Sequence, residues 1–311
     1  MTIIDISVST MDTSTSTTIP STTASTGGSS IISLPTLEIL FGTAPIDWCE
    51  PNQPLRNPFQ WEEFHNTWSN IAFVLAGCSG LYQHYYQQTY YPRDPLIVWG
   101  GICCIMTGIT SAWFHATLLF VGQKTDEFFE NAMITSVLYV QFFPLTTTTT
   151  TTSTPSSISQ QRLRLLRYVL CGIHMIVLAV GIFSIPSDFA ELHLASVVLL
   201  FFYKLSTVAA RIGKTNPTVQ QTICDWKNTA IVVAVMSFAL WALDRFYCTP
   251  VIQSLHLHAF AWHFGTALAL WIGNQANIVA LEFMGQQQQQ QEQQQQSSSR
   301  IDNENGTKKN K

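Results

Sequence analysis

Two regions of the sequence carry side chains capable of chemistry inside otherwise apolar surroundings. The first runs from Pro95 to Glu130: Ser111 and His115 lie four apart, and Asp126 follows eleven residues after His115. On a helix, a spacing of four puts Ser111 and His115 on one face, a turn apart, where they can share a small ligand. The second is L-H-L-H-A-F-A-W-H, which holds His256, His258 and His263. Ionisable groups inside an apolar span are costly and mark function by default. Imidazole is a common zinc ligand, and a catalytic zinc takes three protein ligands while leaving one position for water. Taken alone, His115 also reads as a helix-packing histidine. Joined with two of the three later histidines, it would complete a zinc set.

A different donor chemistry precedes the first apolar stretch. D-W-C-E-P-N, Asp47 to Asn52, is followed by W-E-E-F-H-N-T-W. Asp47, Glu50, Asn52 and Glu63 offer hard oxygens, and a backbone carbonyl such as that of Trp48 could add another, a set suited to calcium rather than zinc. Acidic residues before a helix also serve simply to cap it and to favour its dipole.

The elements that must position these residues follow from composition. The chain is 47% hydrophobic and 11% charged, with its polar residues gathered in tails and one loop, which is the signature of an integral membrane protein. The formal charge of -4 is spread over solvated segments and gives no reason to expect a nucleic-acid partner. The expected fold is all-α, a polytopic bundle of seven transmembrane helices at about 67–87, 95–120, 127–145, 165–185, 188–210, 228–247 and 256–283. The fifth is interrupted by Glu191, His193 and Lys204, which can face a bundle interior. Residues 1–44 read as a disordered Ser/Thr-rich tail without the pattern of a cleavable signal peptide. The candidate site residues then fall in a membrane domain, 45–283, with a Thr-rich loop at 146–157, and residues 284–311 read as a disordered Gln-rich tail.

Seven spans put the termini on opposite sides. With the C-terminus inside, the cytosolic face holds Arg93, Arg162, Arg164, Arg167, Arg211, Lys214, Lys227, Arg300, Lys308, Lys309 and Lys311, against Arg56, Lys124 and Arg245 on the other. That asymmetry follows the positive-inside rule and makes the N-terminus lumenal. Cys49 and Cys248 then both lie on the lumenal side, where a disulfide can persist, and they either pair or remain free thiols. Cys78, Cys103, Cys104 and Cys171 fall in spans and read as buried packing residues. Lys308 and Lys309, third and fourth from the last residue, resemble the dilysine retrieval signal of endoplasmic reticulum membrane proteins.

The ordered set D-W-C-E-x-N, E-F-x-N-T-x-S-N, S-x-x-x-H with D-E eleven residues on, D-R-x-x-C and H-A-x-x-W-H resembles the alkaline ceramidases over residues 45–283. These belong to a wider group of seven-span membrane hydrolases that includes adiponectin-type receptors and enzymes remodelling GPI anchors. The resemblance implies an intramembrane zinc on His115 and two late histidines, calcium on Asp47, Trp48, Glu50, Asn52 and Glu63, and a Cys49–Cys248 disulfide. It implies Asp126 as general base, Ser111 as oxyanion support, and hydrolysis of a ceramide-type lipid amide to a sphingoid base and a fatty acid. The rival readings are a GPI-anchor-remodelling lipid hydrolase and a heptahelical receptor with a structural zinc.

One spacing departs from the family pattern, which sets its last two histidines four apart. Here His258 and His263 are five apart, about 140° around a regular helix, whereas His256 and His263, seven apart, face almost the same way. Either a π-bulge restores His258, or His256 takes its place. The matching residues around His258 favour it.

Overall fold

The computed structural model describes residues 40–45, 48–52, 61–91, 93–143, 157–184 and 188–309. The expected N-terminal tail up to residue 39 and most of the Thr-rich loop lie outside the described residues, as does Asp47. Contacts divide the chain after Ser33, and the helices all belong to the unit Leu34–Lys311.

The unit is a helical bundle, and among the described residues no β-strand is formed beyond an isolated bridge between Thr43 and Leu119. Helix α1, Phe64–Ser69, runs through Asn70 into α2, Ile71–Tyr82, which ends in a π-helical turn, Gln83–Gln87. Then come α3, Pro95–Thr117; α4, Phe120–Phe142; α5, Ser157–Ser184; α6, Asp188–Gly213; and α7, Pro217–Phe246. A short α8, Pro250–Leu255, leads to a second π-helical turn, His258–Phe264, and to α9, Gly265–Lys309.

Local sequence sets these boundaries. Proline stands at the start of α3, α7 and α8, where its missing N–H costs nothing. The side chain before each accepts a backbone N–H of the first turn: Asp94 from Leu96, Asn216 from Val219 and Thr249 from Ile252. Helix α3 stops at Leu118, held in the left-handed region at φ 51°, and α4 begins two residues later. The two therefore run back alongside each other, bringing Asp126 of α4 beside Ser111 of α3. A further close approach lies at Gly108, where a Cβ would sit 2.8 Å from the Asn70 carbonyl oxygen. Only glycine lets α3 come so near the α1–α2 junction, the small-residue packing used by helices in lipid.

Among the described residues, five helices are long and apolar enough to cross a membrane: Pro95–Thr117, Arg162–Ser184, Phe189–Gly213, Pro217–Phe246 and His258–Ser298. The stretches expected as first and third spans are helical but do not meet that measure. The first is divided, its longest regular piece, α2, having 12 residues, and α4 carries Lys124, Asp126, Glu127 and Glu130. Helices α5 to α7 turn Leu165, Ile176, Leu192, Leu199, Val232 and Val235 outward, while Thr107, Ser111, Asn131, Thr135, Ser136 and Asn277 are buried. An apolar exterior over a partly polar interior is the arrangement expected of a chain solvated by lipid. Ala72, Phe73, Cys103, Cys104, Ala132, Met133 and Leu138 form a core between α2, α3 and α4. Of the other two cysteines expected to be buried, Cys171 is, in a further cluster with Val140 and Leu281, but Cys78 is exposed, against expectation.

The sequence predicts a disordered tail from residue 284, but α9 continues through the Gln tract to Lys309. Glutamine is a competent helix former, and a helix already nucleated in the bundle propagates at little cost. At the far side of α3, Arg167 meets Asp94 at 2.8 Å with both side chains fully buried, and it also donates to the Phe143 carbonyl.

Candidate metal centre and active site

His115 lies in the last turn of α3, buried, and the second π-helical turn supplies His258 and His263, both buried. Each of the three offers a nitrogen, and the three nitrogens lie within 4.8 Å of one another. The π-turn explains how a spacing of five serves. Its ladder closes between i and i+5, so residues five apart come to share a face. His258, not His256, thus joins His115 and His263.

Partners fix two of the rings. The Ser69 hydroxyl of α1 donates to the Asn66 carbonyl at 3.1 Å and lies 2.7 Å from His263 Nδ1. In the tautomer that carries its proton on Nδ1, His263 donates to the Ser69 hydroxyl, which directs its own single proton to Asn66, and Nε2 keeps its lone pair. Glu63 is fully buried, with Oε2 2.5 Å from His115 Nδ1. A carboxylate only accepts, so His115 too carries its proton on Nδ1 and frees Nε2. His258 Nδ1 is buried without a hydrogen-bond partner among the described residues. A buried ring nitrogen without a partner costs energy unless something binds it. A zinc ion fits this donor set, and Glu63 and Ser69 supply the outer hydrogen bonds that orient zinc-binding imidazoles.

Ser111 is buried one turn before His115, and its side chain faces the Asp126 carboxylate across the α3–α4 contact. The two residues singled out as acid–base and oxyanion groups are therefore neighbours. Further along α4, Lys124 pairs with Glu127 at 2.8 Å.

Of the oxygen donors expected for calcium, Trp48, Glu50 and Glu63 lie around the start of α1. Trp48 donates its N–H to Glu63 Oε1 at 3.4 Å, and its ring lies over His258 with centroids 3.9 Å apart. Glu50 accepts the N–H groups of His65 and Asn66 at 2.7 and 2.8 Å, bracing the first turn of that helix. Burial pushes the Glu50 carboxyl above the usual carboxylate range, the two N–H groups oppose this, and nearby Glu63 adds to the rise. Two buried carboxylates opposing each other are a setting that a cation would relieve. Asn52 is exposed. Cys49 and Cys248 form a disulfide, closing a separation of 199 residues.

Three contributors carried no signal in the sequence as site residues: Ser69, Glu63 as a partner of His115, and Asp244. Asp244, buried near the end of α7, faces the backbone N–H groups of Cys49 and His258, between the disulfide segment and the π-turn. Only the motif letters containing Ser69 and Asp244 pointed to them, without a role.

The fold and site define a helical membrane protein with a buried three-histidine centre and an adjoining serine–carboxylate pair. A family profile, Ceramidase, matches residues 41–302. The chain belongs to the ceramidase family and is a hydrolase of that kind. It is 27% identical over 248 residues to a Dictyostelium discoideum protein named "Putative alkaline ceramidase dcd3B", covering 73% of this chain and 82% of that one. Human "Alkaline ceramidase 1" is 28% identical over 231 residues, covering 72% and 77%. The Drosophila melanogaster "Alkaline ceramidase" is 34% identical over 88 residues, covering 28% and 29%.

Proposed function

We propose that the chain hydrolyses the N-acyl amide of ceramides to a sphingoid base and a free fatty acid, at a zinc centre of His115, His258 and His263 within the membrane. The observation that carries this is the convergence of three buried imidazoles, two of them with Nδ1 engaged and Nε2 free, in a chain of the ceramidase family. When bound, zinc supplies a water of lowered pKa, about 7, and polarises a carbonyl.

The protein's own groups do the rest. Asp126 takes the proton from the attacking water and returns it to the leaving nitrogen, so that the sphingoid base departs as a neutral amine. Ser111 holds Asp126 in place in the resting chain, and its hydroxyl turns to the carbonyl oxygen as negative charge develops there. Glu63 and Ser69 keep His115 and His263 in one tautomer and orientation. The apolar outer faces let a two-tailed lipid reach the centre without leaving the bilayer.

The reading includes calcium near Asp47, Trp48, Glu50, Asn52 and Glu63, supported by the opposed carboxylates of Glu50 and Glu63. It also includes seven spans over 45–283, with α1–α2 and α4 joining the five apolar helices. The basic asymmetry supports a lumenal N-terminus and cytosolic C-terminus, in the endoplasmic reticulum membrane or cycling through the Golgi. The test is purified protein with a panel of ceramides, with and without a zinc chelator. His115→Ala and His263→Ala should abolish turnover at normal protein level. Full activity in either variant removes the zinc centre.

A further inference from the structure

A second set of metal-capable side chains lies apart from the three-histidine centre. Glu50 comes from the segment after Cys49, His65 from α1, and His256 from the C-cap of α8. Each offers one ligand atom, and the three atoms lie within 4.8 Å of one another. The His65 and His256 rings lie side by side with centroids 3.9 Å apart and planes 33° from parallel.

Three observations suggest that this cluster is built to hold an ion. The Nδ1 atoms of His65 and His256 are both withdrawn from solvent and have no hydrogen-bond partner among the described residues. Buried ring nitrogens are ordinarily satisfied, and two unsatisfied ones in adjacent rings beside a carboxylate call for a shared partner. Glu50 is already oriented, since His65 and Asn66 donate their N–H groups to its two oxygens and leave lone pairs on each. His256 is held in the left-handed region at φ 45° and ψ 49°, a conformation that non-glycine residues seldom adopt and that tends to mark functional positions.

We infer that Glu50, His65 and His256 form a second metal site, taking a borderline divalent transition-metal ion such as Zn2+. Two imidazoles and one carboxylate suit zinc and its late first-row neighbours, whereas calcium and magnesium take all-oxygen sets. The ion would cross-link three elements: the disulfide-bearing segment, α1 and the turn before the last helix. Because α1 also carries Ser69, and Glu63 directly precedes it, occupancy here would brace the partners of His263 and His115. Glu50 is shared with the proposed calcium set, but the two imidazoles belong to neither that set nor the catalytic one.

The experiment uses the full chain in detergent, stripped with a chelator, back-titrated with Zn2+ and measured for bound zinc by mass spectrometry. Wild type should hold two zinc ions per chain. His65→Phe, which keeps the ring contacts with Phe64 and Phe260, and His256→Gly, which suits the left-handed backbone, should each hold one. Adding zinc should raise the thermal midpoint of His263→Ala but not of His263→Ala combined with His65→Phe. Should the three-histidine centre hold no zinc, wild type would hold one and His65→Phe none, which sinks the catalytic reading and sustains this one. Equal zinc content in wild type, His65→Phe and His256→Gly overturns the site.

Discussion

Replacing Ser69 by alanine isolates the part that an orienting hydrogen bond plays at the histidine centre. Ser69 is fully buried in α1, and its hydroxyl lies 2.7 Å from His263 Nδ1, a residue 194 positions away. Removing it leaves a buried N–H unpaired, at a cost of about 1–3 kcal/mol. That range brackets the 10- to 100-fold loss typical when the outer partner of a metal-bound imidazole is removed, about 1.4–2.8 kcal/mol. Zinc affinity should fall by that factor, measured by competition against a chromogenic chelator on purified protein. Thr67→Ala is the control: its hydroxyl bonds the Glu63 carbonyl at 2.6 Å in the same helix without touching an imidazole. Ser69→Ala with a zinc affinity within about twofold of wild type, or no weaker than Thr67→Ala, would refute the orienting role.

Ser111→Ala and Asp126→Asn should each lower kcat by about 100- to 1,000-fold with bound zinc unchanged, which metal analysis beside single-turnover kinetics would check. Arg167→Ala strands the fully buried Asp94 carboxylate and should destabilise the fold by about 3–5 kcal/mol; Arg167→Met combined with Asp94→Leu should recover most of it in the same denaturation assay. Cys49→Ser should cost about 2–4 kcal/mol, and its melting curve should coincide with that of the Cys49→Ser and Cys248→Ser double variant.

The histidines were legible because imidazole in an apolar stretch has few inexpensive explanations, and the Ser111–His115 spacing set one helical face. The matching residues favoured His258, but spacing alone left His256 open, since that choice depends on whether a ladder closes at i+4 or i+5, which side-chain identity does not fix. The partners of the rings were hidden for another reason. Ser69 and Glu63 reach His263 and His115 across 194 and 52 residues, and a serine at the end of a short helix or a glutamate at its start has ample local reasons to be there. Counting spans by hydropathy went furthest where a helix meets lipid, as α5 to α7 do. It was weakest at α4, whose charged residues are sheltered by neighbouring helices that the local sequence does not reveal. The Gln tract misled because its polarity argues for solvation but says little against a helix already growing from the bundle.

The π-turn at His258–Phe264 bears on how such chains can be recognised at all. Lodging one surplus residue in a single widened turn spares everything downstream a rotation of about 100°. Trp271 still meets Ser79 at 3.1 Å and Gln275 still meets Gln83 at 3.0 Å, contacts that a rotated helix would lose. The stretch between the two histidines can therefore lengthen or shorten by one without repacking the core. A search pattern that demands a fixed gap between them would pass over proteins whose buried centre is the same, and one that allows a gap of four or five would find them.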